Sequence, residues 1–188
     1  MIKKIVLIAS VLLCLFSINT LAIQVDKDFY IYGQNNKEIC DAVGMSEGEL
    51  KEYCKQNGIT FLAVDKDNKR QIRKTEIKDE FSEKIGNFWA LSQDEIAELA
   101  DEITGFDNVK GTVEEGGDKR YLKVELKTKD SGGEYILTQY ITVENSKKEI
   151  LTFYTDIDTS TDYIEKAFDS QFKVSGSASV IKTLSIIG

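Results

Sequence analysis

The residues with the clearest chemical potential lie in TFYTDIDTSTDYIEKAF, Thr152 to Phe168, where Asp156, Asp158, Ser160 and Asp162 place an oxygen at every second position. These match positions one, three, five and seven of an EF-hand-like calcium loop. The later positions do not fit. Thr161 stands where the sharp-turn glycine belongs and Ala167 where the bidentate Glu belongs. Short oxygen-bearing side chains ahead of a helix also satisfy its first N–H groups and oppose its dipole. We therefore read Asp156, Asp158 and Asp162 as caps on a strand-to-helix joint rather than as metal ligands, and expect no metal and no cofactor.

Other chemistry is bounded by what is missing. The chain has no histidine, which excludes Ser-His-Asp and Cys-His nucleophiles, His-ligated zinc and imidazole acid-base catalysis within it. A pair of carboxylates at glycosidase spacing is the catalytic option left, and with 32 acidic residues no spacing singles one pair out. The expectation is a protein that is not an enzyme, with no catalytic residues to assign; the alternative is a secreted carboxylate-dependent hydrolase. For binding, Tyr30, Tyr32, Tyr121, Tyr140 and Tyr154 fall on strand candidates and read as core rings. The competing reading is an exposed strip that receives a peptide or a glycan.

The N-terminal segment MIKKIVLIASVLLCLFSINTLA, residues 1–22, has two lysines, an apolar run from Ile5 to Ile18 and a closing Ala22. That is the pattern of a secretory signal peptide, too short to span a bilayer. Cys14 follows Leu12 and Leu13 rather than a small residue, so no lipid anchor is expected. Cleavage after Ala22 would leave 188 − 22 = 166 residues, and losing Lys3 and Lys4 would take the formal charge from −8 to −10. So acidic a surface repels phosphate backbones and makes nucleic acid an unsuitable partner. The expected location is secreted or extracytoplasmic, at the cell envelope, with no membrane span in the mature chain.

Two cysteines remain, Cys40 and Cys54. In an oxidising compartment a pair reads either as a disulfide, worth about 3 kcal/mol for a loop of ~15 residues, or as two separate buried thiols. Both readings stand at this stage.

Elements must hold these groups in place. Phe29 to Tyr32 reads as a short strand ended by Gly33-Gln34-Asn35-Asn36. Ser46 and Glu49 form a capping box, with Met45 and Leu50 as its staple and Gly58 as the stop. Ile59 to Asp65 and Arg70 to Lys78 read as a hairpin whose second strand, rich in charge, suits an edge. Its Lys66, Lys69, Arg70, Arg73, Lys74 and Lys78 form a basic island, read as a charged edge rather than a contact for an anionic surface. Phe81, Ile85, Phe88 and Trp89 suggest a short helix interrupted at Gly86-Asn87. Ser92 and Glu95 cap another helix, with Ile96, Leu99, Ala100 and Ile103 as its stripe and Gly105 as its stop. Four strands then follow, Val109 to Glu114, Tyr121 to Lys129, Tyr135 to Glu144 and Glu149 to Asp156, joined by tight turns as an antiparallel meander. A last helix, about Thr161 to Gln171, turns Ile164, Ala167, Phe168 and Phe172 inward. The class is α+β.

YLKVELKTK, YILTQYITVENSKKEILTFYTD and the helix ending AFDSQFKV resemble the closing half of the PsbP-like fold. GMSEGELKEYCKQNGITFLAVDKDNKRQI resembles the N-terminal part of small secreted or lipoprotein members from Gram-positive anaerobes. The resemblance implies an α/β/α sandwich around a central antiparallel sheet, spanning residues 23–174 as one domain with 175–188 as a tail. Across the wider group such domains dock onto other proteins, the photosystem II assembly in plants and a small GTPase in a nuclear-import relative. That implies a non-enzymatic binding or scaffolding domain here, with a protein or cell-envelope component as partner.

Overall fold

A computed structural model describes residues 23–130 and 133–172. The expected signal peptide and the tail at 175–188 lie outside the described residues. The chain divides into two compact units. One is Val25–Ile164; the other is formed by both chain ends, Met1–Gln24 with Glu165–Gly188.

The larger unit is built on a seven-stranded sheet in the order β1-β2-β3-β7-β6-β5-β4. The strands are β1 Phe29–Ile31, β2 Ile59–Asp65, β3 Arg70–Ile77, β4 Gly111–Gly116, β5 Lys119–Asp130, β6 Gly133–Glu144 and β7 Lys147–Asp156. All neighbours are antiparallel. Two meanders, β1-β2-β3 and β4-β5-β6-β7, meet where β3 pairs with β7 over eight residues. The α+β class and the C-terminal meander are as expected from the sequence.

β3 is not an edge. It lies between β2 and β7, and its charged residues have another explanation, given below. A helix that the sequence did not announce, α1 Asn36–Val43, stops at Gly44 in the left-handed region, φ 71°. Its signals were Ile39, Cys40 and Val43 at helical spacing, masked by the turn-like Gly33-Gln34-Asn35-Asn36. α2, Glu47–Gln56, starts at the expected Ser46–Glu49 capping box. At its end Gly58 (φ 61°) faces Glu76 O so closely that an added Cβ would lie 2.7 Å from it, so only glycine fits this joint. α3, Glu80–Ile85, and a 3-10 turn, Phe88–Ala90, sit on either side of the expected break. The helix expected to run unbroken to Gly105 is two pieces, α4 Gln93–Glu98 and α5 Ala100–Thr104. At Leu99 the N–H turns back to the Ile96 carbonyl, three residues away, and the ladder slips there.

Paired residues of an antiparallel sheet share a face, so register locates the helices. Leu62 and Val64 of β2 pack with Ile39, Cys40, Leu50 and Cys54 of α1 and α2. Leu122, Val124, Ile141 and Val143 of β5 and β6 pack with Phe88, Ile96 and Ala100. The pairings Leu62–Arg73, Arg73–Thr152, Thr152–Gln139 and Gln139–Val124 put both clusters on the same face. The opposite face carries Ile72, Leu151, Phe153, Tyr140 and Tyr121, all buried. Against it stands Tyr163, the first residue of α6, Tyr163–Ser170, with its ring 5.8 Å from Phe29 and 5.9 Å from Phe153.

In the smaller unit the Gln24 N–H donates to Ser170 Oγ at 2.8 Å, and the Phe168 and Phe172 rings meet edge to face at 5.2 Å. Ala167 and Phe168 are buried, as their helical spacing implies.

The disulfide reading does not hold in this structure: Cys40 and Cys54 are free thiols. Each sits on its own helix and packs as a small apolar side chain in one cluster. Burial, together with the Glu47 and Asp41 carboxylates, pushes the Cys40 thiol up; burial does the same at Cys54 against the charge of Arg73. Both are thus poor thiolates.

Candidate functional site

On the helix side of the sheet the row from Leu62 to Val124 runs apolar, Arg73, Thr152, Gln139, apolar. The next row runs Val64, Gln71, Tyr154, Leu137. The middle of the sheet is therefore polar where the helical clusters on either side leave it. β3 can be central and charged because Gln71 and Arg73 floor this gap on one face, while Arg70 and Lys74 on the other are ion-paired with Asp28, Asp65 and Glu149.

The gap opens as a cleft of about 370 Å³ lined by Tyr53, Asn68, Lys69, Gln71, Arg73, Gly133, Glu134, Tyr135, Tyr154 and Asp156. Arg73 is its centre. Nη1 donates to the Tyr53 hydroxyl at 2.8 Å, Nη2 donates to the Tyr154 hydroxyl, and Cζ lies 5.0 Å from the Tyr154 ring centroid. Nε is buried with no hydrogen-bond partner among the described residues. No carboxylate among the described residues pairs with Arg73 within ion-pair distance. Tyr135 leans on Tyr154, ring centroids 5.9 Å apart and planes at 49°. Burial pushes the Tyr154 phenol up, against the pull of Arg73, so it stays protonated at neutral pH. α2 brings Tyr53 in over the sheet, while β7 and β6 supply Tyr154 and Tyr135.

A second depression of about 270 Å³ shares Tyr135 and Glu134 and adds Lys127, Thr128, Lys129 and Ile157. Two carboxyls line the first cleft, as the hydrolase alternative asks, but both are engaged. Glu134 pairs with Lys129 at 3.6 Å on an exposed flank, and Asp156 Oδ1 accepts the Asp158 N–H at 3.0 Å.

The tyrosine strip read from the sequence divides. Tyr121 and Tyr140 are core, Tyr30 and Tyr32 pack on the α1–α2 cluster, and Tyr154 lines the cleft. Tyr53 and Tyr135 were missed. Tyr53 falls at helical spacing with Leu50 and Cys54, where it reads as part of an apolar stripe, and Tyr135 begins the apolar run of β6. The basic island divides as well: Arg70, Lys74 and Lys78 are in ion pairs, while Lys69 and Arg73 face the cleft. The acidic loop is a chain of turns. Asp156 holds the Asp158 N–H, Ser160 Oγ accepts the Asp162 N–H at 3.2 Å, and α6 begins at Tyr163. Among the described residues no three Asp, Glu, Cys or His side chains converge as metal ligands would.

No family model matches the chain, and no curated protein matches it. A crystal structure from Bacteroides thetaiotaomicron VPI-5482 is similar at 13% identity and a TM-score of 0.41, over 60% of this chain and 37% of that one. This chain thus spans well under half of that protein, and so distant a likeness bears on neither fold nor function.

Proposed function

We propose that this chain is an extracytoplasmic, non-enzymatic binding module of PsbP-like fold, and that the cleft over β3 and β7 receives a protein or cell-envelope component. The observation that carries this is Arg73, a guanidinium with no carboxylate partner among the described residues, set between tyrosines where neither apolar cluster covers the helix-side face. A charge held by neutral hydroxyls and an aromatic ring, with no counter-charge among the described residues, is what a ligand site needs. The helices on one face of the sheet and Tyr163 on the other fit the α/β/α arrangement of the PsbP-like group. The apolar N-terminal run supports export with cleavage after Ala22. Among the described residues no helix is long and apolar enough to cross a membrane.

A photo-crosslinking residue at Tyr135, carried by the protein in its native cells, tests the site. An adduct with an envelope component from Tyr135, and none from the same residue at exposed Glu102 on α5, is the expected result. Equal labelling from both positions, or none from either, overturns it. N-terminal sequencing of the exported chain is expected to begin at Ile23; retention of Met1 to Ala22 would overturn the export reading.

A further inference from the structure

Resting on the reading of the cleft as the binding site, we propose that its ligand is an oligosaccharide bearing carboxylates on its rings, held through Arg73 and stacked on Tyr135 and Tyr154.

Three properties of the site lead there. The first is the lining, which among the described residues contains no aliphatic side chain: three tyrosines, two amides, four charged residues and a glycine. Peptide grooves read alternate apolar side chains in pockets, and the described residues form no such pocket in the cleft. Flat rings beside planar polar groups instead suit a ligand that offers C–H faces and hydroxyls together.

The second is the donor count at Arg73. A guanidinium has five N–H donors. Nε is buried, and one hydrogen on each of Nη1 and Nη2 goes to a tyrosine hydroxyl. Among the described residues one hydrogen is left on each terminal nitrogen, which is what the two oxygens of a carboxylate require. The tyrosines hold the fork in place before the ligand arrives, so little side-chain freedom is lost on binding.

The third is charge along the path. The cleft and the depression beyond Tyr135 together carry Lys69, Arg73, Lys127 and Lys129 against Glu134 and Asp156. On a chain of net charge −8 this is a local excess of positive charge. Tyr135 belongs to both hollows, so a polymer passing over it would meet a cation on either side. A ligand with one charge on each successive ring matches that arrangement better than a single anion does.

The experiment uses the purified protein, a tetragalacturonate, its fully methyl-esterified form, and a glycerol-phosphate oligomer of similar length, followed by calorimetry and by tyrosine ring shifts in NMR. The free acid is expected to bind, with shifts at Tyr135 and Tyr154 and with affinity that falls as salt rises. The ester and Arg73→Gln are each expected to weaken binding about tenfold or more, while Arg73→Lys recovers part of the loss. Tyr135→Ala is expected to weaken both the acid and the ester. Equal binding of acid and ester, undiminished binding by Arg73→Gln, or preference for the phosphate oligomer overturns the carboxylate proposal. If none of these probes binds while Tyr135 still crosslinks to an envelope component, the ligand proposed here is wrong and the cleft reading stands. If the crosslink fails too, both fall.

Discussion

Arg70 and Arg73 stand three residues apart on β3, and the alternation of a strand sends them to opposite faces of the sheet. Arg70 has two carboxylate partners. Its Nε meets Asp65 at 2.8 Å, Nη2 meets Asp28, and its guanidinium lies 4.9 Å from the Phe29 ring and 5.4 Å from that of Tyr163. Asp65 is almost wholly buried, its side chain 5% exposed, and also accepts the Lys69 N–H at 2.7 Å. Arg73 has two neutral hydroxyls, the Tyr154 ring 5.0 Å from its Cζ, and a buried Nε with no partner among the described residues. Both are partly exposed cations of the same type on the same strand. One closes the β2–β3 turn over a buried carboxylate; the other has aromatic support and no counter-charge among the described residues. Partners, rather than residue type or burial, separate a charge that holds the fold from one that is available to a ligand.

If that is right, the two substitutions differ most in stability. Arg70→Met leaves Asp65 buried and unpaired, and should cost about 3 kcal/mol in denaturant unfolding. The acid limb gives the same answer through a different measurement. Burial raises the Asp28 carboxyl, but the Arg70 hydrogen bond and charge outweigh it and hold the group below its ordinary value of 3.8. A carboxyl lowered by folding supplies stability that is present above the unfolded value and lost as pH falls through the folded one. The gap between wild type and Arg70→Met should therefore be widest above pH ~4 and narrow below it. Arg73→Met should run parallel to wild type through the same range, since among the described residues Arg73 has no carboxylate partner to release. A gap that stays constant with pH would break the assignment of Arg70 to its acidic partners.

Much of this contrast could not be read in advance, and the reasons are physical. Capping boxes at Ser46, Asp79 and Ser92 are local and were legible wherever Ser, Glu and an apolar residue recur at fixed offsets; only the Asp79–Ser82 pair, which lacks the Glu, escaped. The meander was legible because its turns are short and its strands alternate. Strand order was not, because the β3–β7 pairing joins residues some eighty positions apart and leaves no local trace. Without that pairing, RQIRKTEI reads as an edge strand, when Gln71 and Arg73 mark the floor of a gap between two helical covers and Arg70 and Lys74 are ion-paired on the opposite face. The cleft was half legible for the same reason: Tyr154 and Arg73 were singled out separately, on a tyrosine strip and a basic island. Nothing short of the register brings them together with Tyr53 and Tyr135.

A pair of tyrosines sharpens the comparison at smaller cost. Tyr163, beside Arg70, shares a 2.8 Å hydrogen bond with the fully buried Thr155 hydroxyl and donates to the Tyr154 carbonyl, and burial pushes its phenol up to about 12. Tyr163→Phe keeps the ring under Arg70 but strands the Thr155 hydroxyl, at a cost of about 1 to 2 kcal/mol. Tyr154→Phe removes a hydroxyl that faces the cleft and a cation that water can reach instead, and should cost about half as much or less. Equal losses would mean that the cleft is as tightly packed as the Arg70 side and is not poised to receive anything.

The smallest effect is the most informative. Arg73→Met should change the free energy of unfolding by no more than about 0.5 kcal/mol, because its removal leaves two phenol hydroxyls free to turn to water and takes away a buried N–H that had no partner. The methionine covers much the same stem, so packing against Tyr154 is largely kept. The phenols should report the loss even where stability does not. Arg73 opposes the rise that burial imposes on Tyr154, so in Arg73→Met the alkaline titration of Tyr154, followed by ultraviolet difference absorbance, should move to higher pH. A loss of 2 kcal/mol or more would make Arg73 a second structural arginine and remove the ground for a ligand at the cleft. A near-neutral change in stability with a shifted Tyr154 leaves a cation that the fold does not need, held in position by two tyrosines, and a partner outside the chain is then the physical reason for its presence.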